Sequence, residues 1–416
     1  MGDRVYIFGV GMIKFGKYLE RGIKDLTGEV LENVLRDGSL SRKDLEAAWF
    51  SNTGWGMYEF QHSIRGQVAL SANGLDKIPI TNVENACASA STALHAAWTA
   101  VKAGLYDCTL AIGVEKGYNE DRALMMKGFM AGTDVEVTTK FIEQWKEEQK
   151  AKAEKARGAK ENKEKKGKKG GHSVFMDFYA YGARRHMKEF GTTQRQLAVI
   201  AAKAHNNSTL NPLAQYTFPQ TVEQVLEDYE VAYPLTRAMC APTGDGAAAA
   251  IVCSEEFLKK HPSSRAVLIR ASVLKSGSWD AEGDISKRAS QAAYEMAGVG
   301  PEDIHVAEVH DATAFGELYQ TEELGFCQIG QGGPFAESGA TALNGKIPVN
   351  TSGGLISRGH PIGASGLAQI YELVVQLRGE AGKRQVNNPR VGMTENGGGT
   401  IGSGEAAMCI HVLEGA

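Results

Sequence analysis

The chain is predicted to be an α/β protein built from two similar halves in a layered, pseudo-twofold arrangement, and three observations predict it. Short apolar strands alternate with amphipathic helices, the same order of elements occurs twice, and 49 of the 416 residues are glycine, which suits tight turns and close backbone approaches. A chain of this length is long for one core, so two domains or a duplicated one are expected.

The first half opens with an apolar strand at 5–11, ending in glycine. A helical pattern at 27–35, a capping turn at 41–44 and a strand at 47–50 follow. Next come a loop holding Trp55 and Tyr58, a helix at 65–72 and a strand at 78–83. That strand runs into a turn of small residues around Cys87. After it, Leu94, Ala97, Trp98, Val101 and Leu105 recur at helical spacing, and residues 108–116 form a strand. The second half repeats the order: strand 266–274, helix 289–297, turn 300–304, strand 306–309 running into His310-Asp311, and strand 348–351. A glycine-rich run from Gly353 then opens a long helix through Leu377. Strands at 391–393 and 406–412 flank a glycine turn at Gly397. The Cys87 turn and the His360 turn are counterparts, each opening its half's central helix, and so are expected to face one another.

Between the halves, residues 117–236 read as an insertion, leaving 1–116 with 237–262 as the first half and 263–416 as the second. Its segment 140–169 is densely charged and rich in lysine. Such a run is expected to be a solvated helix; the functional reading is a basic flap over nucleotide phosphates or a docking surface. Residues 175–188 look amphipathic, 197–205 form a helix, and the run 240–250 reads as a turn feeding a buried strand, a turn that Asp245 is expected to cap or brace.

Bulk properties narrow the function. A net charge of -4 gives no reason to invoke nucleic acid or a membrane surface, and no apolar run is long enough to span a bilayer. The first residues read as a strand rather than a signal peptide, and the last three are not a peroxisomal signal. Six scattered cysteines without CxxC spacing fit a reducing compartment and argue against a disulfide framework or a metal site. The expected location is the cytoplasm, of a prokaryote.

Cys87 at a helix start is where a nucleophile belongs, because unpaired backbone N–H groups there favour thiolate over thiol. The competing reading is one more small buried residue. Read together, Asn85-Ala86-Cys87-Ala88-Ser89, His310-Asp311 and Gly359-His360-Pro361-Ile362-Gly363-Ala364 resemble the nucleophile turn, the NEAF/HDCF position and the GHPxGA signature of the thiolase superfamily. The resemblance covers essentially the whole chain. His310-Asp311 and the run from Gly353 to Pro361 are most similar to the branch of sterol-carrier-protein-2-like thiolases. It implies the thiolase fold, two βαβαβαββ halves in five α-β-α-β-α layers.

The resemblance implies cleavage of a 3-oxoacyl-CoA by free coenzyme A through an acyl-cysteine, with CoA as substrate and no bound cofactor. Cys87 would be the nucleophile, and His360 would take its proton. His310 and His360 would hydrogen-bond the thioester oxygen of the departing enolate, and the N–H groups of Cys87 and of Gly397, in the turn with Asn396, would hold the tetrahedral oxyanion. The CoA-binding residues are not assigned. The second cysteine that other thiolases use as acid/base is missing: Glu395-Asn396 and Ala312 stand at its two places. Either Glu395 substitutes, or water or His310 does, or the leaving enolate needs no dedicated acid, or catalysis is lost. Competing readings are a ketoacyl-synthase-like condensing enzyme and a non-catalytic acyl-CoA- or lipid-binding subunit. The resemblance also implies a homodimer, paired through residues 79–83, and a small zinc-ribbon/OB-fold partner for aromatic or branched acyl chains such as that of 2-benzoylsuccinyl-CoA. Trp55, Tyr58, Phe175 and Phe178 could line a wide pocket for it, against ordinary core packing.

Overall fold

The computed structural model describes residues 4–140, 143–144, 147, 173–279, 284–402 and 404–415. The strands are β1 (Val5–Met12), β2 (Ala47–Ser51), β3 (Ile80–Val83), β4 (Cys108–Lys116), β5 (Glu230–Ala232), β6 (Leu235–Thr236), β7 (Asp245–Ser254), β8 (Val267–Ser276), β9 (Val306–Glu308), β10 (Val391–Ile401) and β11 (Gly404–Glu414). Nine of them form one sheet in the order β3-β2-β4-β7-β1-β8-β11-β10-β9, and β5 pairs with β6 apart from it. In chain order within each half, the sheet reads third, second, fourth, fifth, first, and then first, fourth, third, second, the edge strand β3 having no counterpart among the second half's strands. With β3 set aside, the order is palindromic about the junction of β1 and β8, where only Tyr6–Leu268 and Ile7–Val267 pair.

Five layers follow from how apolar faces are covered. The helix Ile23–Gly38 lays Leu26, Val30, Leu31 and Val34 on Phe8, Ala249 and Ile251 of the first half's outer face. The helices Ser89–Lys102 and Ser365–Leu377 fill the middle, with Ala93, Leu94, Ala97, Leu367, Ile370 and Leu373 in one core with Ile7, Val252 and Ile269. The helix Ile285–Ala297 covers the second half's outer face. Being sandwiched on both sides explains why Ala247, Ala248, Ala249 and Ala250 run unbroken and fully buried along β7. It also explains Gly11, where a Cβ would lie 2.6 Å from the Val34 backbone nitrogen.

Several expectations need correcting. Residues 348–351 make only a single bridge, Ala307 to Val349, because Asn350 adopts φ 57° and turns the chain out of the sheet. The long helix through Leu377 begins only at Ser365. Before it come a π-type turn (Gly354–Arg358) and a 3-10 turn (Ile362–Ala364), separated by Gly359 at φ 109° and by Pro361. His360 sits in that gap. Gly397 is not in a turn either: β10 runs on through it to Ile401, and Gly397 pairs with Met408. Trp55 and Tyr58 lie on a short helix, Trp55–Glu59.

The segment 117–244 connects β4 to β7 and carries the helices Val174–Phe190 and Gln194–Ser208. The lysine-rich stretch assigned to 140–169 falls, apart from residues 140, 143–144 and 147, outside the described residues. Among the described residues no helix is long and apolar enough to cross a membrane.

Candidate active site

Cys87 is held in a bent turn. Ala86 before it takes φ 47°, a left-handed conformation costing a residue with a Cβ about 1 kcal/mol or more. Side chains fix the bend. The Glu84 carboxylate accepts from the Ala86 N–H at 2.6 Å, and the Ser89 hydroxyl accepts from the Asn85 N–H at 2.8 Å while donating to the Ala86 carbonyl at 2.5 Å. Cys87 as a residue remains partly accessible to solvent.

His360 Nε2 lies 3.3 Å from Cys87 Sγ. The other side of its ring fixes its tautomer. Ser365 Oγ donates to the Pro361 carbonyl at 2.9 Å and therefore accepts from His360 Nδ1–H at 2.7 Å, so in the neutral ring the bare nitrogen is the one facing sulfur. His310 is locked the opposite way. Ser91 Oγ donates to Asn396 Oδ1 at 2.9 Å, which leaves Asn396 Nδ2 to donate to His310 Nδ1 at 3.0 Å. His310 therefore presents Nε2–H. The two rings meet edge to face at 5.2 Å, so a proton acceptor and a proton donor flank one thiol.

Burial sets their charges. It pushes the Cys87 thiol up to about 12, against a smaller opposing effect of the Gly399 N–H. It pushes His310 down to about 4, and holds His360 well below its ordinary range, with the His310 and Arg358 charges adding. The resting pair is a neutral thiol and a neutral imidazole. The thiolate expected from the helix start alone is not what the site favours, since a helix terminus is worth about 1 kcal/mol while desolvation moves a pKa by several units.

The glycine whose N–H reaches the sulfur is Gly399, at φ 63°; Gly397, expected as the oxyanion donor, instead has its N–H acting on Glu395. Next to Gly399, Gly398 packs so tightly on the cysteine turn that a Cβ there would lie 2.3 Å from the Asn85 carbonyl oxygen. Asn396, expected beside Gly397 in an oxyanion turn, is fully buried and orients His310. Glu395 is also fully buried. It accepts from the His310 N–H at 2.8 Å, leaves Oε1 without a partner, and is pushed up to about 8 by burial, with the Glu405 charge adding.

Residues that sequence reading passed over tie the halves together at this point. The buried Glu115 carboxylate accepts from the N–H groups of Thr53, Gly54 and Gly363 at 3.0, 2.9 and 3.0 Å, and Ser51 donates to the Gly363 carbonyl at 2.7 Å. The turn after His360 is thereby pinned to the first half. Ser365, five residues beyond the histidine at a helix start, carried a readable signal; Glu115, at the end of an apolar strand, carried only its own oddity there. Asp245 braces its turn as expected, accepting from the Tyr18 and Tyr118 N–H groups at 2.8 and 2.9 Å. Of the four aromatics, Trp55 is core and Phe178 faces solvent. Tyr58 packs at Gly54 and Gly128, whereas Phe175 closes on Gly132, beside Ala86. Cys87, His310 and His360 bring their donor atoms within 4.8 Å of one another, a set that a thiophilic ion could bind.

The comparisons agree with this geometry. Residues 5–222 match the family model "Thiolase, N-terminal domain" and residues 280–411 match "Thiolase C-terminal domain-like". The chain is 37% identical to an acetyl-CoA acetyltransferase of Methanothermobacter thermautotrophicus, over 98% of this chain and 99% of that one. It is 37% identical to sterol carrier protein 2 of Bos taurus, over 98% of this chain and 71% of that one. With the benzoylsuccinyl-CoA thiolase subunit BbsB of Thauera aromatica it shares 34% identity over 95% of each. Among solved structures, an Ltp2-ChsH2(DUF35) aldolase superposes with TM-score 0.75 at 21% identity, covering 100% of this chain and 98% of that one. Human mitochondrial 3-ketoacyl-CoA thiolase in complex with CoA does so with TM-score 0.71 at 16% identity, covering 100% and 98%. The chain belongs to the thiolase family and is an acyl-CoA acyltransferase that takes coenzyme A as a substrate.

Proposed function

We propose that the chain cleaves a 3-oxoacyl-CoA with free CoA, by way of an acyl group on Cys87, and that Glu395 holds the proton needed at C2. The observation that carries this is the 3.3 Å approach of His360 Nε2 to Cys87 Sγ, with the ring locked so that the bare nitrogen faces the thiol. His360 takes the thiol proton as sulfur attacks the C3 ketone, and the Cys87 and Gly399 N–H groups receive the oxyanion. The C2–C3 bond then breaks. The thioester oxygen of the departing enolate is held by Nε2–H of His310 and by Nε2–H of His360, now protonated. C2 takes a proton from the Glu395 carboxyl, and the proton parked on His360 replaces it, so that the thiol proton ends on carbon. CoA–SH then gives its proton to the neutral His360 and attacks the acyl-cysteine, and His360 returns that proton to Cys87 as the acyl group leaves. Run backwards, the same steps form a carbon–carbon bond.

The substrate side of the proposal is an aromatic or branched acyl group, supported by the similarity to the Thauera aromatica subunit and by Phe175 beside the cysteine turn. The chain works as a homodimer joined along β3, which lies at one edge of the sheet with Thr81 and Asn82 exposed. A small partner subunit of the zinc-ribbon/OB-fold kind completes it, a reading supported by the DUF35 component named in the aldolase title and by the word subunit in the name BbsB. Intact mass after incubation with a panel of acyl-CoA and 3-oxoacyl-CoA thioesters tests the reading. An acyl adduct mapped to Cys87, lost in Cys87→Ala, is expected; no adduct, with or without a co-purifying subunit, would leave a non-catalytic binding protein.

A further inference from the structure

His310 and Asp311 stand side by side in the sequence, yet the reaction outlined above uses only the histidine. Asp311 is fully buried, and its Oδ1 accepts from the Leu355 N–H at 2.6 Å. Leu355 belongs to the π-type turn Gly354–Arg358, which leads into His360. Glycine makes the approach possible. A Cβ at Gly354 would lie 2.0 Å from Asp311 Oδ2, and Gly353 and Gly354 take φ 99° and 58°. The glycine pair ahead of the His360 turn therefore makes room for this carboxyl.

On the other side of His310, Glu308 grips the same segment. It is fully buried, and its two oxygens accept from the Ser352 N–H at 3.0 Å, the Ser352 hydroxyl at 2.6 Å and Arg358 Nη1 at 3.0 Å. Ser352 Oγ in turn accepts from Arg358 Nη1 at 3.0 Å and from the Gly354 N–H at 3.2 Å. Between the two acids, the Val309 N–H donates to Asn350 Oδ1 at 2.9 Å, and the Asn350 N–H donates to the Ala307 carbonyl at 2.9 Å. Residues 307–311 are thus bonded to 350–358 step by step, and the rings of His310 and His360 at the end of this ladder meet at 5.2 Å. His360 also has anchors that the ladder does not share. Ser365 holds its ring, and Glu115 and Ser51 hold Gly363 behind it.

We propose that Asp311 and Glu308 are positioning residues that set the gap between His310 and His360, and with it the place where both Nε2–H groups meet the thioester oxygen of the enolate. This rests on the acyl-transfer reading above. A buried ion pair such as Glu308 with Arg358 is a weak source of stability, and its use here is the register it fixes. Two donors converging on one oxygen tolerate little error: a misplacement of about 1 Å costs about 100-fold. Loosening the clamp spares the contact of His360 with Cys87, because the residues behind His360 hold it to the first half. The clamp therefore serves the carbon–carbon step, and acyl transfer, whose oxyanion falls to Cys87 and Gly399, does not depend on it. Burial, with the Glu317 charge adding, raises Asp311 well above its ordinary value, so the group that holds Leu355 is a neutral acid, and asparagine is its neutral counterpart.

The test separates two half-reactions. Exchange of labelled CoA into acyl-CoA needs Cys87 and His360, whereas wash-in of solvent deuterium at C2 of acetyl-CoA, and carbon–carbon cleavage, need both histidines on the enolate oxygen. For Asp311→Ala the expected result is CoA exchange within about 3-fold of wild type, with wash-in and the kcat of cleavage down by about 100-fold and KM little changed. Asp311→Asn keeps an acceptor for the Leu355 N–H and is expected to restore wash-in to within about 3-fold of wild type. Ser352→Ala, which removes one oxygen and disturbs folding least, should show the same split at about 5- to 10-fold, the usual worth of one hydrogen bond; it decides the matter should Asp311→Ala not fold. Undiminished wash-in in both Asp311→Ala and Ser352→Ala, exchange and wash-in lost in the same proportion, or Asp311→Asn no better than Asp311→Ala overturns the assignment. A wild-type chain that exchanges no CoA at all overturns the acyl-transfer reading itself, and the clamp with it.

Discussion

Glu395 offers a sharp physical test in the substitution Glu395→Gln, which keeps the side chain's size and its acceptor for the His310 N–H but removes the charge. The rise from an ordinary 4.5 to about 8 comes first from burial. At about 1.36 kcal/mol per pKa unit, ionising this carboxyl in the folded chain costs about 5 kcal/mol, an upper bound because water can enter as the charge appears. The sign follows from linkage: a carboxyl whose folded pKa is raised is protonated in both states below 4.5 and ionised in both above about 8. Its stability penalty is therefore absent in acid, grows as pH climbs between those values, and is complete above the upper one. Urea midpoints for wild type and Glu395→Gln at about pH 5, 7 and 9 bracket that window. The variant should gain on wild type as pH rises, by about 2–5 kcal/mol at the alkaline end. A gap independent of pH, or one that widens in acid, refutes the reasoning that burial holds this proton in place.

Three further outcomes follow from the same geometry. Ser365→Ala takes away the acceptor of His360 Nδ1–H; losing a hydrogen bond worth about 1 kcal/mol, the ring no longer keeps one tautomer, and kcat/KM for CoA exchange should fall about 5- to 10-fold with KM little changed. Gly398→Ala puts a Cβ 2.3 Å from the Asn85 carbonyl oxygen and 2.5 Å from the Ala88 nitrogen; the nucleophile turn must move, and acylation of Cys87 should drop about 100-fold or more, read by intact mass against time. Because Cys87 is pushed up to about 12, iodoacetamide should modify it faster with each step to higher pH, about tenfold per unit through the neutral range. A plateau near neutrality would show a resting thiolate–imidazolium pair instead.

Much of the site could be read from the sequence because its chemistry rests on short local signals. The Cys87 turn and the run through His360 each break an otherwise apolar pattern at a helix start, and the internal repeat says that they meet. What could not be read depended on contacts distant in sequence. The resemblance points to Gly397 in a turn as the oxyanion donor, but pairing with Met408 keeps that residue in a strand, and the N–H that reaches Cys87 is that of Gly399. The charge state of Cys87 turns on a related difference: the helix start, which favours thiolate, is visible in the sequence, whereas the surrounding protein that raises the thiol is not. Tyr179 lies in an amphipathic stretch where any aromatic reads as packing, and only the fold lays its ring against Gly316, which packs on the His310 carbonyl.

The junction of β1 and β8 places the pseudo-axis between the turn that carries sulfur and the turn that carries imidazole. Two separate copies of one half, paired about that axis, would present the same residue from both sides: two thiols or two imidazoles, and no acid beside a base. Only a continuous polypeptide lets the equivalent positions differ. Carrying both halves on one polypeptide thus permits a division of labour that a symmetric pair of identical halves could not hold.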